Sequence, residues 1–198
     1  MLSQFGSVFA VELDNTARKI ANDKNITNVQ HGKMPDELPF EDNMFDVTAL
    51  FDVLEHIEDD KKSLELLYDK TKKNGYLILT VPAFPILWSS HDEQHHHKRR
   101  YKRTELINKV ELAGFNLVYA SYYSFWLFPI ILSVRLISKL FESFRKSASK
   151  ENKTLDIKTP SKFINGMLTK IFSSEAILLE KRKKLPFGSS IILIAQKQ

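Results

Sequence analysis

The sequence predicts a doubly wound α/β domain with a mostly parallel sheet, on three observations. Short apolar runs alternate with stretches of helical spacing of roughly 10 to 15 residues, the pattern of strands joined by crossover helices. One run, "FDVTALFD" (45–52), is apolar almost without a break. That predicts a strand buried on both faces, as strands of parallel sheets are. Finally, 198 residues of which 43% are hydrophobic suffice for one domain with a real core.

Taken in order, "SVFAVEL" (7–13) reads as the first strand and "DNTARKIAND" as a helix capped by Asp14 or Asn15. "ITNVQHG" is a second strand and 45–52 a third. "DDKKSLELLYDKTKKNG" has amphipathic spacing, with Leu64, Leu67 and Tyr68 inward and Gly75 beyond its end. "YLILTVP" (76–82) is a fourth strand, "RTELINKVELAGF" a helix closed by Gly114, and "NLVYASYYS" a fifth strand. An apolar stretch at 122–146 then contains Phe125, Trp126, Phe128, Ile130 and Ile131, but Arg135 ends it well short of the 18 or more residues of a membrane span. It reads either as an extra core helix or as an interfacial lid beside Lys139, Arg145 and Lys146. A polar linker (147–162), a helix over "FINGMLTKIFSSEAILLEK" and a last strand, "SSIILIAQK", complete the chain.

Composition narrows the function classes. The chain has no cysteine, which excludes disulfides and thiolate zinc sites. Its net charge of +5 gathers in "HKRRYKR" (97–103), "KSASKENK" (146–153) and "KRKK" (181–184). No nucleic-acid motif accompanies these clusters, so no nucleic-acid partner is expected. A phosphorylated substrate or an anionic membrane surface suits them better. The start "MLSQFGSVFAVELD" lacks a basic segment leading into an apolar one, so the expected location is cytoplasmic, with peripheral contact to the inner face of a membrane.

Ligands of open α/β sheets bind beyond the carboxyl ends of the strands. Asp52, Glu55 and His56 follow the third strand at that end. Glu58, Asp59 and Asp60 read as the favourable start of a helix. For Glu55 and His56 a local structural role and a functional one stay open. A second concentration of chemistry is "WSSHDEQHHHKRRY" (88–101). It reads as a substrate pocket, a plain basic loop or a metal site. No metal is expected, because adjacent histidines on a regular element cannot all face one ion.

The stretches "VFAVELDNTARKIA", "LPFEDNMFDVTALFDVLEHIEDD", "LLYDKTKKNGYLILTVP" and "LINKVELAGF", in this order, resemble the class I S-adenosylmethionine-dependent methyltransferases. The resemblance covers 7–123 and resumes at the final strand. More narrowly, "VPAFPILWSSHDEQHHHKRRY" and "LPFGSSIILIAQK" resemble a branch linked to cell-surface glycan or lipid-linked pathways. The resemblance implies a Rossmann-like sheet in a single domain (1–198), with a cofactor-binding core (1–123), a helical insertion or lid (124–185) and a final strand (186–198).

It also implies S-adenosylmethionine as cofactor. Glu12 would hold the ribose, Leu13 would pack on the adenine, and Met34 lies in the loop at the adenine edge, where the usual Asp is absent. Phe51 and Asp52 would lie along the methionine part, with His56 one step beyond. Methyl transfer is an in-line displacement, so the enzyme mainly positions the acceptor. For a hydroxyl acceptor a histidine base helps. His91 is the expected base, oriented by Asp92, with His97 as second choice; Arg100, Tyr101 and Trp88 are expected to hold the acceptor. The acceptor would be a small molecule, a glycan or a lipid-linked compound, methylated on oxygen.

One family feature is missing. The chain has six glycines, and none lies in a D/E-x-G-x-G-x-G pattern. The expectation is therefore an N-terminally truncated methyltransferase without its first, central strand, whose activity as this chain is in doubt. A non-catalytic remnant that binds no cofactor is the alternative. A metal-dependent hydrolase built on the histidine loop is a third reading.

Overall fold

A computed structural model describes residues 2–24, 27–145 and 161–198. The strands among them form two sheets. In the smaller, β1 (Ala10–Glu12) pairs in parallel with β2 (Val29–His31), and α1 (Asn15–Asp23) connects them. Asp14 caps α1 by accepting from the Ala17 N–H at 2.7 Å, one of the two caps the sequence offers. The first strand is shorter than the apolar run 7–13 suggests.

The larger sheet holds β3 (Phe45–Phe51), β4 (Thr71–Pro82), β6 (Ser190–Lys197) and β5 (Phe115–Tyr123), side by side in that order. β3 and β4 are parallel, and β6 runs antiparallel to both β4 and β5. Three of these strands thus share one direction and β6 reverses it. Among the described residues no strand pairs with the second edge of β3 or of β1. This break separates β1 from β3. Phe9, Phe40 and Phe45 meet edge to face beside it, with ring centroids 5.0–5.9 Å apart.

Two expectations are corrected. β3 is buried on one face only: Thr48 and Leu50 are inside, whereas Val47 and Phe51 are each 50% exposed. An apolar run reports what a strand can bury, not what is present to cover it. The helix α2 (Asp60–Lys70) also stops earlier than its spacing suggests, and β4 starts at Thr71. Thr71 takes extended backbone, donates its hydroxyl to the Leu67 carbonyl at 2.6 Å and accepts from Thr48 at 2.9 Å across the sheet. Pairing with β3 outweighs the helix propensity of Lys72 and Lys73.

The core lies between this sheet and α2 with α4 (Arg103–Leu112). Leu54, Leu64, Leu77, Leu79, Leu106 and Leu193 have no exposed surface, each stabilising the fold by roughly 1.5–3 kcal/mol. Gly114 ends α4 with φ of 102°, a conformation that a side chain would strain. Beyond β5, α5 (Phe128–Arg145) and α6 (Lys162–Glu180) form the apolar insertion. Phe128 packs on Phe84 and Phe187, and the buried Glu175 of α6 accepts from the Phe125 N–H at 3.0 Å. The expected polar linker, 147–162, lies almost wholly outside the described residues. No helix of the described residues is long and apolar enough to cross a membrane.

Candidate functional site

The carboxyl ends of β3 and β4 open into a cleft of about 440 Å³. Asp52, Glu55 and His56 line it from the turn after β3, and Pro82 from the end of β4. His91 and His95 reach it from α3 (Ser90–Gln94) and just beyond, with His97 and Arg100 following. Ile131 and Arg135 of α5 complete one wall. Asp52 has φ of 51°, unusual for a residue with a side chain. Its N–H is held by the backbone carbonyl of Thr80 (3.0 Å) and the Thr80 hydroxyl (3.1 Å).

Behind the cleft, Asp92 is fully buried and acts as a hub. It closes a capping box with Ser89 at the start of α3, accepting from the Ser89 N–H at 3.0 Å. It also accepts from Arg100 Nε at 2.7 Å, His97 Nδ1 at 2.9 Å and Arg135 Nη1 at 3.1 Å. Burial would push its carboxyl up, but Arg100, His97 and Ser89 overcome that and hold it at about 2. Asp92 is therefore ionised and accepts from each of these groups.

Glu55 is the opposite case. It has no exposed surface, and neither carboxylate oxygen has a hydrogen-bond partner among the described residues. Burial, with Asp52 and Asp92 nearby, raises its carboxyl to about 7. Two histidines, His56 and His91, are pushed below the ordinary imidazole value. Burial is the main cause; His97 adds to it for His56, and His95 and Arg135 add to it for His91.

Among the residues singled out from the sequence, the cleft gathers Asp52, His56, His91, His97 and Arg100. Two roles change. Asp92 orients His97 and not His91. Tyr101 has no exposed surface and donates its hydroxyl to Asp60 at 2.9 Å, so it cannot hold an acceptor. Burial and Asp60 raise its hydroxyl far above the ordinary value, which keeps it a donor. Arg100 is also buried, donating to Asp92 and the Ala83 carbonyl, and only borders the cleft. Trp88 is half-buried outside the lining.

Glu12, Leu13, Met34 and Phe51 also lie outside that lining. Glu12 ends β1, and one of its oxygens accepts from the Asp14 N–H at 2.9 Å. Leu13 is 52% exposed, and Met34 packs against the core. Sequence reasoning missed Arg135, Ser189 and Ser190 in the lining, and left the role of Glu55 open. Arg135 could be suspected only as the charge that interrupts an apolar helix; Glu55 had no signal beyond its place after a buried strand.

Comparison with known proteins follows the same lines. Residues 1–79 match the model of a family described as a methyltransferase domain. A search of curated proteins gives no significant match. Among solved structures, a SAM-dependent methyltransferase from Thermotoga maritima aligns with all of this chain and 75% of its own, at 17% identity and a TM-score of 0.62. A SAM-dependent methyltransferase from Archaeoglobus fulgidus aligns over 96% of this chain and 75% of its own, at 16% identity and a TM-score of 0.55. Phosphoethanolamine N-methyltransferase 2 of Haemonchus contortus, in complex with S-adenosyl-L-methionine, shares 17% identity at a TM-score of 0.57, and this chain spans 44% of it.

At such identities the likeness is one of fold, and that fold is the Rossmann-like class I methyltransferase fold. The family match over residues 1–79 agrees with that fold, and the Haemonchus enzyme holds S-adenosyl-L-methionine on it. The residues present fit that cofactor in part. The ends of β1 and β3 offer a carboxylate, Glu12, and two open apolar side chains, Leu13 and Phe51. A glycine-rich turn to approach the methionine portion is not among the 198 residues.

Proposed function

We propose that the chain transfers a methyl group to a hydroxyl of a small acceptor carrying a glycan or lipid-like portion, bound in the cleft. The observation that supports this reading is the cleft itself, where imidazoles and a carboxylate stand at the carboxyl ends of β3 and β4 beneath an apolar helix. S-adenosylmethionine, when bound, supplies an electrophilic methyl on a sulfonium. Glu12 accepts from the ribose hydroxyls, Leu13 and Phe51 cover the apolar faces, Met34 borders the adenine, and Asp52 and His56 flank the methionine end.

His91 would take the acceptor's hydroxyl proton while the cofactor would supply the methyl group and leave as the neutral thioether. Its depressed pKa keeps it neutral, and so able to accept, at pH 7. Arg100 lends positive charge to the cleft wall, and Trp88 stands beside its rim. α5 acts as a lid. Its exposed Ile130, Val134 and Ile137 supply apolar surface for a lipid-linked acceptor or for peripheral contact with a membrane.

The break between β1 and β3 favours one rival, a module that binds no cofactor. Calorimetric titration of S-adenosylmethionine into the purified chain separates the two. Micromolar binding that Glu12→Ala weakens at least 10-fold is expected. A chain that melts cooperatively and takes up no S-adenosylmethionine would overturn methyl transfer by this chain. His91→Ala is expected to lower turnover by roughly 10²–10⁴ with cofactor affinity unchanged.

A further inference from the structure

We propose that Glu55, His56 and His97 form a binding site for one divalent first-row transition-metal ion. A carboxylate oxygen of Glu55 and one ring nitrogen from each histidine all lie within 4.8 Å of one another. Three ligands around one ion, each about 2.1 Å from it, stand roughly 3–4 Å apart. The 4.8 Å limit lies close to that spacing, and His56, which is exposed, has room to adjust.

Two independent observations point to a ligand there. Glu55 is fully buried, yet both its oxygens lack a hydrogen-bond partner among the described residues. A buried polar group left so is costly unless something fills the role of donor. Arg100 does not fill it: it donates to Asp92 and the Ala83 carbonyl and makes no hydrogen bond to Glu55. A cation between Glu55 and the imidazoles does.

The second observation is the setting of His97. Its Nδ1 is hydrogen-bonded to the buried carboxylate of Asp92 at 2.9 Å, which leaves Nε2 as the ring nitrogen open to a ligand. A carboxylate behind the far nitrogen is how metal-bound imidazoles are oriented and made more basic. The ring of His56 stands edge-on to that of His97, with centroids 4.7 Å apart.

Two imidazole nitrogens and one carboxylate oxygen, open on one side to a cleft, suit Zn²⁺, Mn²⁺, Fe²⁺ or Co²⁺ better than Mg²⁺ or Ca²⁺, which prefer oxygen throughout. The open side also carries Asp52, and water fills the remaining positions. An ion so placed acidifies a hydroxyl that reaches it, a use that rests on the proposed methyl transfer. The binding itself does not, and loss of that reading would leave the metal titration unchanged.

The test uses the whole chain, stripped with chelator, dialysed and titrated with Co²⁺ and Zn²⁺ by calorimetry and visible absorption. One ion per chain is expected, with a Co²⁺ spectrum showing nitrogen ligation and a raised melting temperature. His56→Ala, an exposed change that keeps the fold, and the near-isosteric Glu55→Gln are each expected to weaken binding at least 10-fold. His95→Ala is expected to leave it unchanged. Absence of stoichiometric binding to a cooperatively melting chain would overturn the proposal. So would full affinity in both His56→Ala and Glu55→Gln, or loss of the ion in His95→Ala alone.

Discussion

The two sheets are built on different terms. The four-stranded sheet carries a continuous core in which Leu77, Leu79, Val81, Ile191 and Leu193 have no exposed surface. The β1–α1–β2 unit has only Val29 of its strands buried, and α1 buries no residue at all. Polar contacts hold it instead. The Asn22 amide accepts from the Val29 N–H at 2.7 Å and donates to the Val29 carbonyl at 3.0 Å, and Thr27 donates to the Val8 carbonyl at 2.6 Å. The cleft histidines stand on α3 and on turns beside the firm sheet, and Glu12, the proposed ribose ligand, stands on the slight one. Stability and cofactor affinity should therefore respond to different substitutions.

The largest effect is expected from Asp92→Ala, which leaves Arg100 buried without its counter-charge. A loss of about 3–5 kcal/mol in denaturant unfolding would follow. Leu79→Ala should cost about 3 kcal/mol by the same measurement, because no surface remains through which the cavity can fill. Asn22→Ala should cost about 1–2 kcal/mol, confined to the smaller unit. Amide hydrogen exchange would show it in β1 and β2 while β4 and β6 stay protected. Equal loosening of both sheets would mean that they fold as one.

A smaller effect is expected with pH. Asp60 gathers the Tyr101 hydroxyl, Lys109 and Arg99 within 3.0 Å. Burial would raise its pKa, but these partners outweigh burial and hold it below the ordinary carboxylate value. Its contribution is therefore complete above the unfolded pKa of about 3.9 and declines as pH falls through the lower folded value. Asp60→Asn should flatten the acid limb of a stability-versus-pH curve measured by urea denaturation.

Most of the architecture was legible in the sequence, because period and punctuation are local. The Asp14 cap, the Gly114 stop and each of the strands could be read from a few neighbouring residues. What failed was set by distant partners. Lys72–Gly75 look helical until Thr71 and Tyr76, on either side of them, pair with β3. Tyr101 looks like a ligand-binding tyrosine until Asp60, at the start of α2, accepts its hydroxyl. In the same way "LEH" does not reveal that its glutamate points inward and its histidine outward. The Asp92–His97 pair was within reach, since both residues were singled out, but only the turn of the chain after α3 decided which histidine the carboxylate faces.

Arg135 belongs to α5, yet its guanidinium donates to the Leu87 carbonyl and to Asp92. The helix over the cleft and the imidazole on its floor therefore share one counter-charge. α5 cannot lift without taking a donor from the carboxylate that also aims His97 and Arg100. Were α5 to open as the proposed lid, admission of a guest and alignment of the groups that meet it would be a single event, timed by one carboxylate.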